Sequence, residues 1–72
     1  MLTIHRRNPA RNEARFYAVA LQADLLAGWT VVREWGRIGS AGRVRADVHG
    51  DLASARAAAE RWAARKRGRG YR

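Results

Sequence analysis

Seventy-two residues carry fifteen Lys+Arg against six Asp+Glu, a net charge of +9, with no Cys and three Trp. A chain of this length makes one small domain, 1–72, with a marginal core, since a domain near this size buries only about 60% of its unfolded surface. Without Cys, disulfide staples and thiolate zinc sites are excluded, and the charge points to a polyanion: nucleic acid, an acidic protein or an anionic membrane. Fourteen of the fifteen cations are Arg, which suits bidentate phosphate contacts and stacking on bases. The chain is also Ala-rich, and a GC-rich genome would raise Arg, Ala and Gly together.

In chain order, Leu2 to Arg7 reads as a short strand with Leu2 and Ile4 on one face. Pro9 cannot donate to a ladder, so Asn8 to Asn12 is a loop. Ala14 to Gln22 is a second strand; Tyr17, Val19 and Leu21 share one face and Phe16, Ala18 and Ala20 the other, which predicts a central position. Asp24-Leu25-Leu26-Ala27-Gly28 reads as the turn into a third strand, Trp29 to Arg37. Arg43 to His49 alternates, with Val44, Ala46 and Val48 expected inward and Arg43, Arg45, Asp47 and His49 outward. Gly50 breaks the sheet, and Asp51 is a good N-cap for a helix over Leu52 to Arg67. Leu52, Ala55, Ala59, Trp62, Ala63 and Lys66 form its apolar stripe, Glu60 is expected to pair with Arg56, and Gly68 is the expected C-cap. The fold class is α+β: a small antiparallel sheet of about four strands with one C-terminal helix packed on one face. The end of the chain, 68–72, reads as a solvated basic tail with freedom to move.

The longest apolar run, Phe16 to Leu21, is far short of the ~18 residues that span a bilayer, and no apolar signal segment follows Arg6 and Arg7. A cytoplasmic protein is expected, nucleoid-associated if it binds DNA. A catalytic reading has little to stand on: His5 and His49 lie far apart, and no carboxylate or Ser is spaced for a triad. Neither a metal, a cofactor nor a small-molecule substrate is implied.

The stretch Trp29 to Arg43 carries the functional signal. On a strand Trp29, Val31, Arg33, Trp35 and Arg37 line one face. Guanidiniums beside an indole neutralise phosphate while the ring offers a stacking surface; equally, such a strand can be core, with its Trp filling the interior and its Arg at the rim. Gly36, Gly39 and Gly42 mark tight turns. The face holding Arg33, Trp35 and Arg37 reads as too cationic to be the side covered by the helix, which makes Trp35 an exposed ring, whereas Trp62, on the helix's apolar stripe, reads as core.

Trp35-Gly36-Arg37 followed by Ile38-Gly39-Ser40-Ala41-Gly42 resembles the signature of the WGR domain family. The resemblance extends to Asn12, to Arg15-Phe16-Tyr17, to Trp29-Thr30-Val31-Val32-Arg33, and to Lys66 with Gly70-Tyr71, nearly the whole chain. WGR domains occur in DNA-dependent poly(ADP-ribose) polymerases and as small bacterial modules, so the resemblance implies a non-catalytic module that binds DNA at strand ends or breaks. It makes Trp35 the platform for a terminal nucleotide and places Asn12 and Arg15 beside a phosphate. Arg37 becomes a phosphate or interdomain contact, and Tyr71 an aromatic that joins them. With Arg33 and Gly36 from this strand, Arg43 from the next, and Lys66, Arg67 and Arg69 from the basic end, these form the candidate nucleic-acid-binding set. No polymerase domain accompanies them in this chain. An adaptor docking an acidic protein and an RNA-binding module are the alternative readings.

Overall fold

The computed structural model describes residues 1–24 and 28–72. Four antiparallel strands run in sequence order, β1 (Leu2–Asn8), β2 (Glu13–Ala23), β3 (Trp29–Arg37) and β4 (Arg43–His49), and helix α1 (Leu52–Arg67) packs on one face of the sheet. The architecture is therefore the expected α+β one, with β2 inside the sheet. A 3-10 turn over Pro9–Arg11 joins β1 to β2 and ends at Asn12, whose φ of 51° lies in the left-handed region that Asn tolerates better than most residues. The β2–β3 hairpin is closed by the Asp24 N–H donating to the Gly28 carbonyl (3.0 Å) and the Gly28 N–H donating to Asp24 Oδ1 (2.8 Å). The rest of the turn expected there, residues 25–27, lies outside the described residues.

Register decides which side chains meet the helix, because residues directly opposite in antiparallel strands share a face. Tyr17 stands opposite both Ile4 and Trp35, and Val31 opposite both Leu21 and Asp47. That face, with Ile4, Tyr17, Val19 and Val31, meets Ala55 and Ala58 of α1 to form the core. Asp51 caps the helix as expected, its Oδ1 accepting the Ser54 N–H at 2.7 Å; this hydrogen bond holds its carboxyl below the usual range. Ala58, absent from the expected stripe, is buried, while Trp62 and Lys66 are half-buried. Glu60 is exposed, and the ion pairs among the described residues are Arg6–Glu13 and Arg33–Asp47, so the expected pair with Arg56 does not form.

Three expectations are corrected. The inward side of β4 is inverted: Val44 and Val48 are 63% and 74% exposed on the open face of the sheet, while Asp47 turns toward the helix side to meet Arg33. Alternation says which residues share a face but not which face is covered, and here pairing with Val31 and Trp29 places Asp47 and His49 on the helix side. The Trp29–Trp35 face of β3 is likewise the covered one; Arg33 is only 7% exposed, and Trp29 and Trp35 are half-buried against the core. Finally, the basic end is docked rather than free. Gly70, at φ 92°, reverses the chain beyond the helix, Tyr71 is buried in the core, and Arg72 exchanges two backbone hydrogen bonds with His5 (2.8 and 2.9 Å).

Gly36 lies within β3 rather than in a turn, and its role is close approach. A Cβ there would stand 2.9 Å from the Gly42 Cα, and a Cβ on Gly42 would collide with the Trp35 carbonyl and the Phe16 ring. Gly42→Ala should therefore cost about 1–3 kcal/mol by overpacking, lowering the melting temperature by roughly 4–8 °C per kcal/mol. Gly50, with open space where its Cβ would stand, is the control, and Gly50→Ala should stay within about 0.5 kcal/mol of the parent. Tyr71→Ala, which removes a ring packed edge-on to Tyr17, should cost about 3–5 kcal/mol and approach the limit of what so small a domain tolerates. Thermal denaturation checks all three.

Candidate nucleic-acid interface

The β1–β2 turn, β3 and the end of α1 converge on a basic cleft of about 520 Å³. Arg6, Arg11, Arg15, Arg37, Lys66 and Arg69 line it with Asn12 and Tyr71, and Glu13 is its one carboxylate. Glu13 is already paired with Arg6, whose Nε lies 3.0 Å from Oε1. Arg37 reaches back across the hairpin, donating to the Asn12 carbonyl (3.0 Å) and Oδ1 (3.4 Å). These bonds fasten the β1–β2 turn to β3. They also commit the Asn12 side-chain oxygen, leaving its amide hydrogens as the donors available to an anion.

A second cleft, about 420 Å³, lies beside Trp35, Gly36 and Gly42, with Arg15 and Arg43 at its sides. Arg15 lines both clefts, so the two adjoin. Trp35 is thus not the free-standing ring expected from sequence. It stacks on Tyr17 (centroids 6.3 Å apart, planes 26° from parallel) and also borders open space.

Arg33 sits behind this surface rather than on it. Its guanidinium carbon is 3.7 Å from the Trp62 centroid and 5.7 Å from that of Trp35, and its Nη2 meets Asp47 Oδ2 at 3.2 Å. A desolvated guanidinium this close to the Trp62 indole is a favourable cation–π contact, and the same group lies near the Trp35 ring. Its Nε and the Tyr17 hydroxyl are buried without hydrogen-bond partners. Burial pushes the Tyr17 phenol up despite the Arg33 charge nearby. Of the expected set, the structure brings Asn12, Arg15, Trp35, Gly36, Arg37, Arg43, Lys66, Arg69 and Tyr71 to the two clefts. Arg33 lies beneath them, and Arg67 lines a separate, largely apolar groove with Leu2 and Ala63. Arg6 and Arg11, not singled out from the sequence, belong to the basic cleft; their nearness to the Pro9 turn was the available signal.

The family model described as the WGR domain matches residues 1–72. The chain belongs to the WGR domain family. It is 35% identical over 71 residues to an uncharacterised protein, y4dW, of Sinorhizobium fredii, an alignment that takes in 99% of this chain and 35% of that protein. The chain thus spans about a third of the length of that relative. No solved structure matches it. WGR domains are generally nucleic-acid-binding modules and are not themselves catalytic. Among the described residues no helix is long and apolar enough to cross a membrane.

In this WGR domain Lys66 is half-buried among aromatic rings and other cations. Lys66 Nζ lies 5.0 Å from the Tyr17 centroid and 5.6 Å from that of Tyr71. Partial burial, then the charges of Arg69, Arg65, Arg33 and Arg15, hold its pKa below the ordinary lysine range. A phosphate entering the cleft would oppose those charges and raise the pKa again, so such a complex would bind more protons than the free protein. Binding should therefore take up protons in the alkaline window between the depressed and the restored pKa, with affinity falling as pH rises through it. Calorimetry in two buffers of different ionisation enthalpy reads this uptake, and Lys66→Met should abolish it.

Proposed function

We propose that this WGR domain binds DNA, holding the phosphate backbone in the Arg15–Lys66–Arg69 cleft and preferring strand ends through Trp35. The observation that supports the reading is the shared wall: Arg15 borders both the basic cleft and the cleft beside Trp35. A backbone lying in the first puts its last nucleotide next to the second. Guanidiniums suit phosphate geometry, and an indole with one open side accepts a base that has lost its stacking neighbour. Continuous duplex offers no such base.

Because Trp35 also packs on Tyr17 and the core, its replacement must keep apolar volume while removing the ring. Trp35→Leu should lower affinity for open-ended duplex by about five- to a hundredfold, the worth of one stacked base, and leave hairpin-closed duplex of equal length nearly unchanged. Equal losses on both, or none on either, would reject end reading. On both DNAs log K should fall with log salt at a slope of about −4 to −5, as for roughly 4–6 phosphate contacts. A slope near zero would remove nucleic acid as the partner.

A further inference from the structure

The two edges of the sheet are treated differently. Beyond β1, Arg72 forms two backbone hydrogen bonds with His5, so the chain closes that edge itself. Beyond β4, no strand is paired among the described residues. An open edge is a template for another strand, and soluble proteins usually blunt it. Here β4 carries two large exposed apolar side chains, Val44 and Val48, which lie diagonal to Val32 on the open face and directly opposite Glu34 and Thr30.

We propose that β4 pairs antiparallel with β4 of a second copy of this chain, centred on Ala46. The choice of occupant rests on charge complementarity. A two-fold axis through the sheet keeps each face continuous only if one residue lies opposite itself, and near the middle of β4 that residue is 45, 46 or 47. Centring on Arg45 sets two guanidiniums against each other, and centring on Asp47 sets two carboxylates together; like charges directly opposite are destabilising. Centring on Ala46 places Arg45 opposite the partner's Asp47, twice, on one face. On the other it places Val44 opposite the partner's Val48, twice. The side chain of Asp47 is 44% exposed even with Arg33 bound, so it has room for a second cation. The result is a continuous eight-stranded sheet, since each copy brings four, with the basic clefts, which border β1, toward its far sides.

The test uses the whole chain at about 0.15 M salt, where a Debye length of ~8 Å screens the repulsion between two copies of charge +9. Sedimentation equilibrium should show a dimer that grows with protein concentration up to about 1 mM. Arg45→Glu, which opposes a carboxylate to the partner's Asp47, should weaken it at least ~3-fold without lowering the melting temperature, because within the sheet the new carboxylate faces Arg33. The chain has no Cys, so single cysteines report the register. Ala46→Cys should cross-link to itself under mild oxidation, because opposite Cα atoms ~4.5–5.5 Å apart allow a disulfide. Val44→Cys and Val48→Cys should each resist self-linking, being roughly 13 Å from their own copies, yet cross-link to one another when mixed. A monomer at every concentration, an unaffected dimer in Arg45→Glu, or equal cross-linking of all three single variants overturns the proposal.

Discussion

A helix that presents mostly alanine cannot fill the space over a four-stranded sheet, and this shortage of volume governs where every large side chain goes. Ala55, Ala58 and Ala63 let α1 lie close, but contribute one methyl each. The missing volume comes from the sheet and from the chain's end. Tyr17, 1% exposed, takes the centre, with Trp35 stacked on one side and Tyr71 meeting it edge-on. Arg33 fills the remaining space between Trp62 and Trp35. A cation is tolerated there because two indoles and Asp47 replace part of its hydration.

This packing ties the core to the surface. Tyr17 and Tyr71 are core residues, yet both lie under the Lys66 ammonium, and Tyr71 also lines the basic cleft. Trp35 shares a ring contact with Tyr17 and a border with the adjoining cleft. In a domain this small there is too little interior to keep the two roles on separate residues. The groups that shape the clefts are therefore held by the packing that makes the domain fold, which is what preorganises them.

The elements were legible because each was marked by strong local chemistry. Pro9 and Asn12 bound the first turn, Gly50 and Asp51 separate sheet from helix, and α1 runs over the residues its stripe defines. What the sequence concealed was sidedness. Val44 and Val48 look like core and Arg33 like surface, but one register assigns all three, and register is a relation between strands that no single strand displays. Tyr71 was hidden differently. Its neighbours Arg69, Gly70 and Arg72 have the composition of a free tail, whereas the glycine's positive φ turns the chain back and the ring supplies apolar area the core lacks.

The basic cleft follows from the same economy. Arg11, Arg15, Lys66 and Arg69 share a small concavity in which the one carboxylate is taken by Arg6. Partial burial first, and then the charges of Arg69 and Arg15 among others, hold the Lys66 pKa down, and like charges so close repel one another. Such repulsion opposes folding, and a marginal domain has little stability with which to offset it. Arg37 counters part of the cost by fastening the Asn12 turn with two hydrogen bonds to a neutral acceptor rather than a carboxylate. That choice matters chemically: a carboxylate at Asn12 would stabilise the empty cleft and repel an anion, whereas an amide secures the turn and leaves the positive field intact. An anion entering the cleft would offset that repulsion, and the more negative charge it carried the more of the repulsion it would offset.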